Sequence, residues 1–168
     1  MKKFTEIKLI PLIKEYENDI KLLIEESESL KYADNGVFKS NESCKTNIES
    51  WIKESEKSGY PNHFVVLLKD EFIGICGSPV INYDKNEHGF YFQLKKELWG
   101  LGLGTIIAEK LLNYTYVYDP HAIIYTNAVA INIPSAKILK KLGFVKTGEE
   151  FKLYNGLDVV RYRYETVA

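Results

Sequence analysis

Leu98-Trp-Gly-Leu-Gly-Leu-Gly-Thr105 sets three glycines at alternate positions just before a helical pattern, in which Ile107, Leu111 and Tyr114 recur at i, i+4 and i+7. Glycine lets a backbone approach a ligand closely, and a helix N-terminus behind it supplies unpaired N–H groups. The segment therefore has the physics of a pyrophosphate site. The same spacing also suits a turn that needs only positive φ. A dinucleotide fingerprint is excluded, because its last glycine would fall on Thr105 counting from Gly100 and on Ile107 counting from Gly102. The phosphate-loop pattern fails for want of Gly-Lys-Ser/Thr.

Immediately upstream, residues 90–94 read as a strand, and residues 63–68 and 72–81 as a hairpin turning at Asp70-Glu71. Together these predict an antiparallel meander. Further back, residues 4–12 read as a strand ending at Pro11, and Ile20, Leu23, Ile24 and Leu30 as the apolar stripe of a first helix. A turn at Asp34-Asn-Gly36 leads to a second helix over 42–57, with Ile48, Trp51 and Ile52 inward and Gly59 as its stop. Downstream, the helix opening at Gly104 runs to about Tyr118, where Asp119-Pro120 ends it. A strand over 122–129, a helix over 134–142 stopped by Gly143, and a strand over 144–154 follow. Asn155-Gly156 turns the chain back as a last strand over 157–165. The order β-α-α-β-β-β-α-β-α-β-β predicts an α/β fold of the α+β kind: one domain over residues 1–168, with a mixed, mostly antiparallel central sheet and helices on both faces.

The chain has 168 residues, 45% hydrophobic and 27% charged, enough for one well-cored domain. Its 22 basic and 23 acidic side chains leave a charge of −1, which offers no field for a polyanion, so nucleic acid is not an expected partner. Cys44 and Cys76 stand too far apart for a disulfide framework or a Cys-rich zinc site, and His63, His88 and His121 lack zinc spacing. No metal is expected, and Cys76, within an apolar strand, is expected to be an inert buried thiol. No export signal and no apolar run near the roughly 20 residues of a membrane span are visible, so a cytoplasmic location is expected and Asn41-Glu-Ser43 is a chance glycosylation match.

Two motifs carry a resemblance. Trp99-Gly-Leu-Gly102-Leu-Gly104 fits the pattern Arg/Gln-x-x-Gly-x-Gly/Ala with Trp in the first place, and Asn132-Ile-Pro-Ser135-Ala-Lys-Ile-Leu-Lys-Lys-Leu-Gly-Phe144 fits Asn-x-x-Ser followed by Lys-Leu-Gly-Phe. With the two at this separation, the chain resembles the GCN5-related N-acetyltransferases over nearly its whole length. Leu94-Lys-Lys-Glu-Leu-Trp99-Gly100 is similar to the branch that acetylates ribosomal-protein N-termini. The resemblance implies acetyl-coenzyme A as co-substrate, in a wedge between the strand ending at Leu94 and the strand ending near Val129. Backbone at Phe92, Gln93 and Leu94 would pair with the pantetheine arm. Amides of Trp99, Gly100, Leu101, Gly102, Leu103, Gly104 and Thr105 would hold the pyrophosphate, with Asn132 and Ser135 near the thiol. Lys137, Lys140, Lys141 and Lys146 are suited either to the ribose phosphate or to plain solvation.

Relatives often carry a tyrosine that protonates the departing thiolate; its place here holds Leu139. Ser135 is the remaining hydroxyl, either an aid to the thiolate or a hydrogen-bonder at the helix start. The carboxylate that relatives place on the preceding strand falls at Gly89, beside Glu87 and His88, which are catalytic candidates or a solvated pair. A weak base favours an α-amine, with pKa about 7.7 to 8.0, over a lysine amine at about 10.4. Residues 14–34 hold seven acids against three lysines, which would attract a cationic acceptor or simply form an exposed helix face. The expected function is transfer of an acetyl group to a primary amine, an α-amino group of a protein or peptide, by direct attack in a ternary complex. The alternatives are a small-molecule amine acetyltransferase, for a polyamine or an antibiotic, and a non-catalytic acyl-coenzyme A binding module. Monomer and homodimer both stay open.

Overall fold

Phe64-Val-Val-Leu67 and Phe72-Ile-Gly-Ile-Cys76 are apolar at consecutive positions, a pattern that suits strands covered on both faces. In the computed structural model, which describes residues 6–26, 41–152 and 156–165, they form the centre of a sheet. Strand β2 (His63–Leu68) pairs with β3 (Glu71–Gly77) across a turn in which Lys69 and Asp70 have φ of +50° and +62°. Strand β1 (Ile7–Pro11) pairs along the other edge of β2. Helices α1 (Glu17–Glu25) and α2 (Asn41–Ser58) cover one face, where Ile20, Leu23, Ile24 and Ile48 meet Val65, Leu67, Phe72 and Ile75. Leu30, the turn at Asp34-Asn-Gly36 and Asn155 fall outside the described residues.

The stretch expected as one strand over 72–81 divides at Ser78-Pro79. Proline has no N–H for a ladder, and beyond it the chain starts β4 (Val80–Asn82) in a second sheet. The following strand divides as well, at Gly89-Phe90. Its first part, β5 (Glu87–His88), runs parallel to β7 (Ile123–Val129), and its second, β6 (Tyr91–Leu94), runs antiparallel to β3. One sheet has the order β1-β2-β3-β6 and the other β4-β5-β7-β9-β8, where β8 is Phe144–Lys152 and β9 is Asp158–Tyr164. Among the described residues every pairing apart from β5–β7 is antiparallel.

Helix α3 (Leu103–Tyr118) spans both sheets on the face opposite α1 and α2. Ile107, Ala108 and Leu111 are fully buried there, and each large apolar side chain so buried contributes about 1.5–3 kcal/mol. Helix α4 (Ile133–Leu142) packs beside it through Leu139 and ends on Gly143 at φ +106°. No helix among the described residues is long and apolar enough to cross a membrane.

A buried polar cluster fastens the end of α3 to the second sheet. His88 is fully buried, with Nδ1 3.0 Å from the Ser78 carbonyl and Nε2 2.8 Å from Oδ2 of Asp119. Asn86 donates to the other carboxylate oxygen at 2.8 Å, and the His121 amide does so at 3.2 Å. Burial pushes the Asp119 carboxyl up, but the Asn86, His88 and His121 interactions outweigh it and hold the group below its usual range. A depressed carboxyl pKa stabilises the fold above the unfolded value of about 3.9 and loses that contribution as pH falls further. Asp119→Ala leaves Nε2 of His88 buried without an acceptor and should cost about 1–3 kcal/mol at pH 7. In urea titrations, the gap between wild type and variant should narrow at pH 3.

Candidate functional site

The two sheets part at Phe90. Its carbonyl, left without a strand partner, accepts a hydrogen bond of 2.6 Å from Oγ1 of Thr126 on β7, which pins the apex of the opening. Beyond it, β6 follows β3 and β7 follows β9, so a wedge opens between β6 and β7. Phe92, Gln93 and Leu94 form its β6 wall, paired on their outer side with Cys76, Ile75 and Gly74. Thr126 and Ala128 face the α3 side on the β7 wall.

After Leu94 a 3-10 turn at Lys96–Leu98 leads into the glycine loop. Trp99 takes the place where the resemblance has a basic or amide residue, and its Nε1 donates to the Leu94 carbonyl at 3.0 Å, tying the loop to the end of β6. Gly100 and Gly102 have φ of +80° and +82°, and a Cβ at either would meet nothing within 4 Å. Both glycines serve backbone conformation. Gly104 differs: it is buried inside the first turn of α3, and a Cβ would stand 3.0 Å from Cδ1 of Ile138 and 3.5 Å from the Phe92 ring. It lets α3, α4 and β6 meet. The backbone N–H groups of Gly100, Leu101, Gly102, Leu103, Gly104 and Thr105 have no acceptor within the described protein, and the first helical bond is from Ile106 to the Gly102 carbonyl. Together with the positive end of the α3 dipole they form an anion cradle at the mouth of the wedge.

Asn132 caps α4, its Oδ1 accepting from the Ser135 amide at 3.3 Å. Ser135 lies one turn before Ile138, whose side chain meets Gly104 at the start of α3. The Ser135 hydroxyl has no partner among the described residues. Leu139 is buried in the main core. Lys137, Lys140, Lys141 and Lys146 are exposed, the first three on α4 and Lys146 apart from them on β8. The two acid–base candidates also separate. His88 points to the α3 side, where both nitrogens are engaged, whereas Glu87 points to the opposite face, lining a cavity of about 440 Å³ with Tyr125, Lys146, Glu149, Arg161 and Arg163. Gly89, which stands where the resemblance places a carboxylate, is part of the strand break, and a Cβ there would meet Cγ of Pro79 at 3.4 Å.

Three functional-looking side chains escape a linear reading. Oη of Tyr91 is 2.8 Å from Nδ1 of His63, and Nε2 of His63 is 2.8 Å from Oε2 of Glu54. Alternation along β6 was the available signal, since it turns Tyr91 away from Phe90 and Phe92 toward the α1–α2 side. Cys76 is fully buried, and burial pushes its thiol far up, so it is inert. Among the described residues no group of three His, Cys, Asp or Glu side chains is placed to hold a metal.

The family model for the acetyltransferase (GNAT) domain matches residues 7–145. A curated relative, the uncharacterized N-acetyltransferase p20 of Bacillus licheniformis, is 29% identical over 99 residues, which cover 58% of this chain and 56% of that protein. The match thus spans little more than half of the relative's length. Among solved structures, the microcin C7 self-immunity acetyltransferase MccE, in complex with acetyl-CoA and AMP, superposes with a TM-score of 0.81 at 17% identity, covering 99% of this chain and 96% of that one. The ribosomal-protein-S5-alanine acetyltransferase of Vibrio fischeri gives 0.77 at 20% identity, over 95% and 93%. These likenesses establish the fold.

The unequal glycines yield a stability test. Gly104→Val forces its side chain against Ile138 and Phe92, and overpacking of this kind costs about 1–3 kcal/mol. Gly102→Ala meets no atom and bears only the strain of positive φ, about 1 kcal/mol. Urea denaturation should rank the two variants in that order.

Proposed function

Because the chain belongs to the GNAT acetyltransferase family, we propose that it transfers an acetyl group from acetyl-coenzyme A to a primary amine, an α-amino group of a protein or peptide, by direct attack in a ternary complex. The observation that carries this reading is the wedge closed by unpaired amides: an open strand edge on β6 leads straight into an anion cradle at residues 100–105. A long thioester with a pyrophosphate needs those two features in that order. Backbone at Phe92, Gln93 and Leu94 pairs with the pantetheine arm. The amides from Gly100 to Thr105 take the pyrophosphate, whereas that of Trp99, also expected there, already donates to the Lys96 carbonyl at 3.1 Å; Lys137 and Lys140 lie on the helix nearest the ribose phosphate. The bound thioester supplies an activated acyl carbon. Ser135, with its amide engaged by Asn132 and its hydroxyl unpartnered, protonates or steadies the departing sulfur. Buried and fully bonded, His88 serves the fold.

The acceptor approaches on the sheet face opposite α3, where Tyr91, Glu87 and the charged cavity lie. Glu17 and Asp19 open α1 on the same side and favour a cationic amine. At pH 7 an α-amine is neutral a few hundred times more often than a lysine side chain at equal concentration, which favours the α-amine wherever proton removal limits the rate. A self-immunity acetyltransferase and a ribosomal-protein acetyltransferase share this fold, and a panel decides between protein and small-molecule amines.

The panel comprises peptides with free or blocked α-amines, a peptide with a lysine side chain as its single amine, spermidine and an aminoglycoside, with thiol release as readout. The free α-amine peptide should be the fastest acceptor, and a faster polyamine or aminoglycoside would overturn the α-amine assignment. Ser135→Ala should lower kcat by about 10²-fold or more if the hydroxyl is the acid, with acetyl-coenzyme A affinity unchanged by calorimetry. Turnover near the wild-type value would assign that proton to water.

A further inference from the structure

Tyr91, Gly77 and His63 lie side by side on three adjacent strands: β6 pairs Tyr91 with Gly77, and β2 pairs His63 with the same glycine. A Cβ on Gly77 would stand 2.6 Å from Cε1 of Tyr91, so the tyrosine ring crosses the sheet over a position that only glycine leaves open. Its hydroxyl thereby reaches Nδ1 of His63. From above, α2 contributes Glu54 to Nε2 of the same ring, and Trp51, one turn earlier, stacks on the imidazole with centroids 5.2 Å apart. A carboxylate only accepts hydrogen bonds, so Glu54 keeps a proton on Nε2 and leaves Nδ1 to accept from Tyr91. The hydroxyl proton of Tyr91 is then directed inward, and its oxygen retains a lone pair for an incoming N–H. Burial holds the Tyr91 pKa well above the ordinary tyrosine value, so the group remains a hydroxyl.

The arrangement contrasts with His88. That ring faces a backbone carbonyl, which gives up no proton, and a carboxylate whose two oxygens are already held by His88 itself and by Asn86 and the His121 amide. His63 instead stands between a hydroxyl, which can donate and accept, and a carboxylate whose side chain is 26% exposed. Tyr91 is half-buried, opens β6 next to Phe90 at the wedge apex, and faces the side from which an acceptor would come.

We propose that Tyr91, His63 and Glu54 form the proton path for the acceptor amine, an inference that rests on the transferase reading above. The ammonium form of the acceptor gives one proton to Oη of Tyr91 as the Tyr91 proton passes to Nδ1 of His63. The imidazolium so formed is balanced by the Glu54 carboxylate, and the excess proton leaves to water at the exposed side of Glu54. The neutral nitrogen then forms its bond to the acyl carbon while the carbon–sulfur bond breaks and its electron pair departs on sulfur; the proton that the new amide nitrogen must still lose passes to that sulfur by way of the Ser135 hydroxyl or water, leaving a neutral amide and a free thiol. Tyr91 is the catalytic residue of the three, His63 takes its proton, and Glu54 is the positioning residue that sets the tautomer.

Tyr91→Phe keeps the ring over Gly77 and removes one hydroxyl, so it tests the path directly. With the fastest amine of the panel, kcat should fall about 10²-fold, while KM for acetyl-coenzyme A stays within about twofold and the loss of the bond to buried His63 lowers the thermal midpoint only by several degrees, leaving the chain folded at the assay temperature. Because a more basic amine depends more on proton removal, the loss should be greater for a lysine side chain than for an α-amine in matched peptides. Glu54→Gln should lower kcat as well, and the double variant should be no slower than Tyr91→Phe alone, as for groups that act in series. Tyr91→Phe within about threefold of wild type, or losses that multiply in the double variant, would overturn the path. Should Tyr91→Phe fail to fold, Glu54→Gln decides by the same threshold. Wild-type turnover with an undiminished variant refutes the path alone, whereas a wild-type chain that acetylates no amine refutes both the path and the transferase reading.

Discussion

One strand that changes partners is the constraint on which the rest depends. From Glu87 to Leu94 the chain begins beside β7 and ends beside β3, and no flat sheet can satisfy both pairings at once. The break therefore falls where backbone groups find substitutes: the Gly89 amide donates to the Pro79 carbonyl at 2.7 Å, and the Phe90 carbonyl accepts from Thr126 at 2.6 Å. A buried carbonyl without a partner costs about 1–3 kcal/mol, so these two bonds make the split tolerable. Everything that concerns a ligand follows from it, because an open strand edge inside a domain exists only where two sheets diverge.

The glycines around this wedge are needed for two distinct reasons. Gly100 and Gly102 supply positive φ and turn amides outward, with empty space where a side chain would be. Gly104 supplies room for Ile138 and Phe92, and Gly77 supplies room for the Tyr91 ring to reach His63. The first pair is functional through the backbone, and the other two act through the side chains they admit.

The two buried histidines show how burial and function separate. Each has both nitrogens engaged, which removes the penalty of burying polar groups. His88 secures α3 to the second sheet through groups with fixed roles. His63 sits among a stacked tryptophan, a hydroxyl and a partly exposed carboxylate, where the same hydrogen bonds can be remade with the proton moved by one place.

The sequence by itself determined the element order and the glycine loop, because these rest on local signals: the i, i+4 spacing of Ile107 and Leu111, the stops at Gly59 and Gly143, the β-branched run before Lys69. Asn132 and Ser135 were legible for the same reason, since a cap and its amide lie three residues apart. Tertiary structure decided what depends on long-range pairing. Residues 72–81 and the strand after them each split between two sheets, a consequence of β6 meeting β3 while β5 meets β7. Glu87 and His88, neighbours in sequence, went to opposite faces. Glu54, His63 and Tyr91, 9 and 28 residues apart, came within hydrogen-bond reach. No periodicity in the chain announces that meeting, because it requires three strands in register, a glycine at the middle position and a helix laid across them.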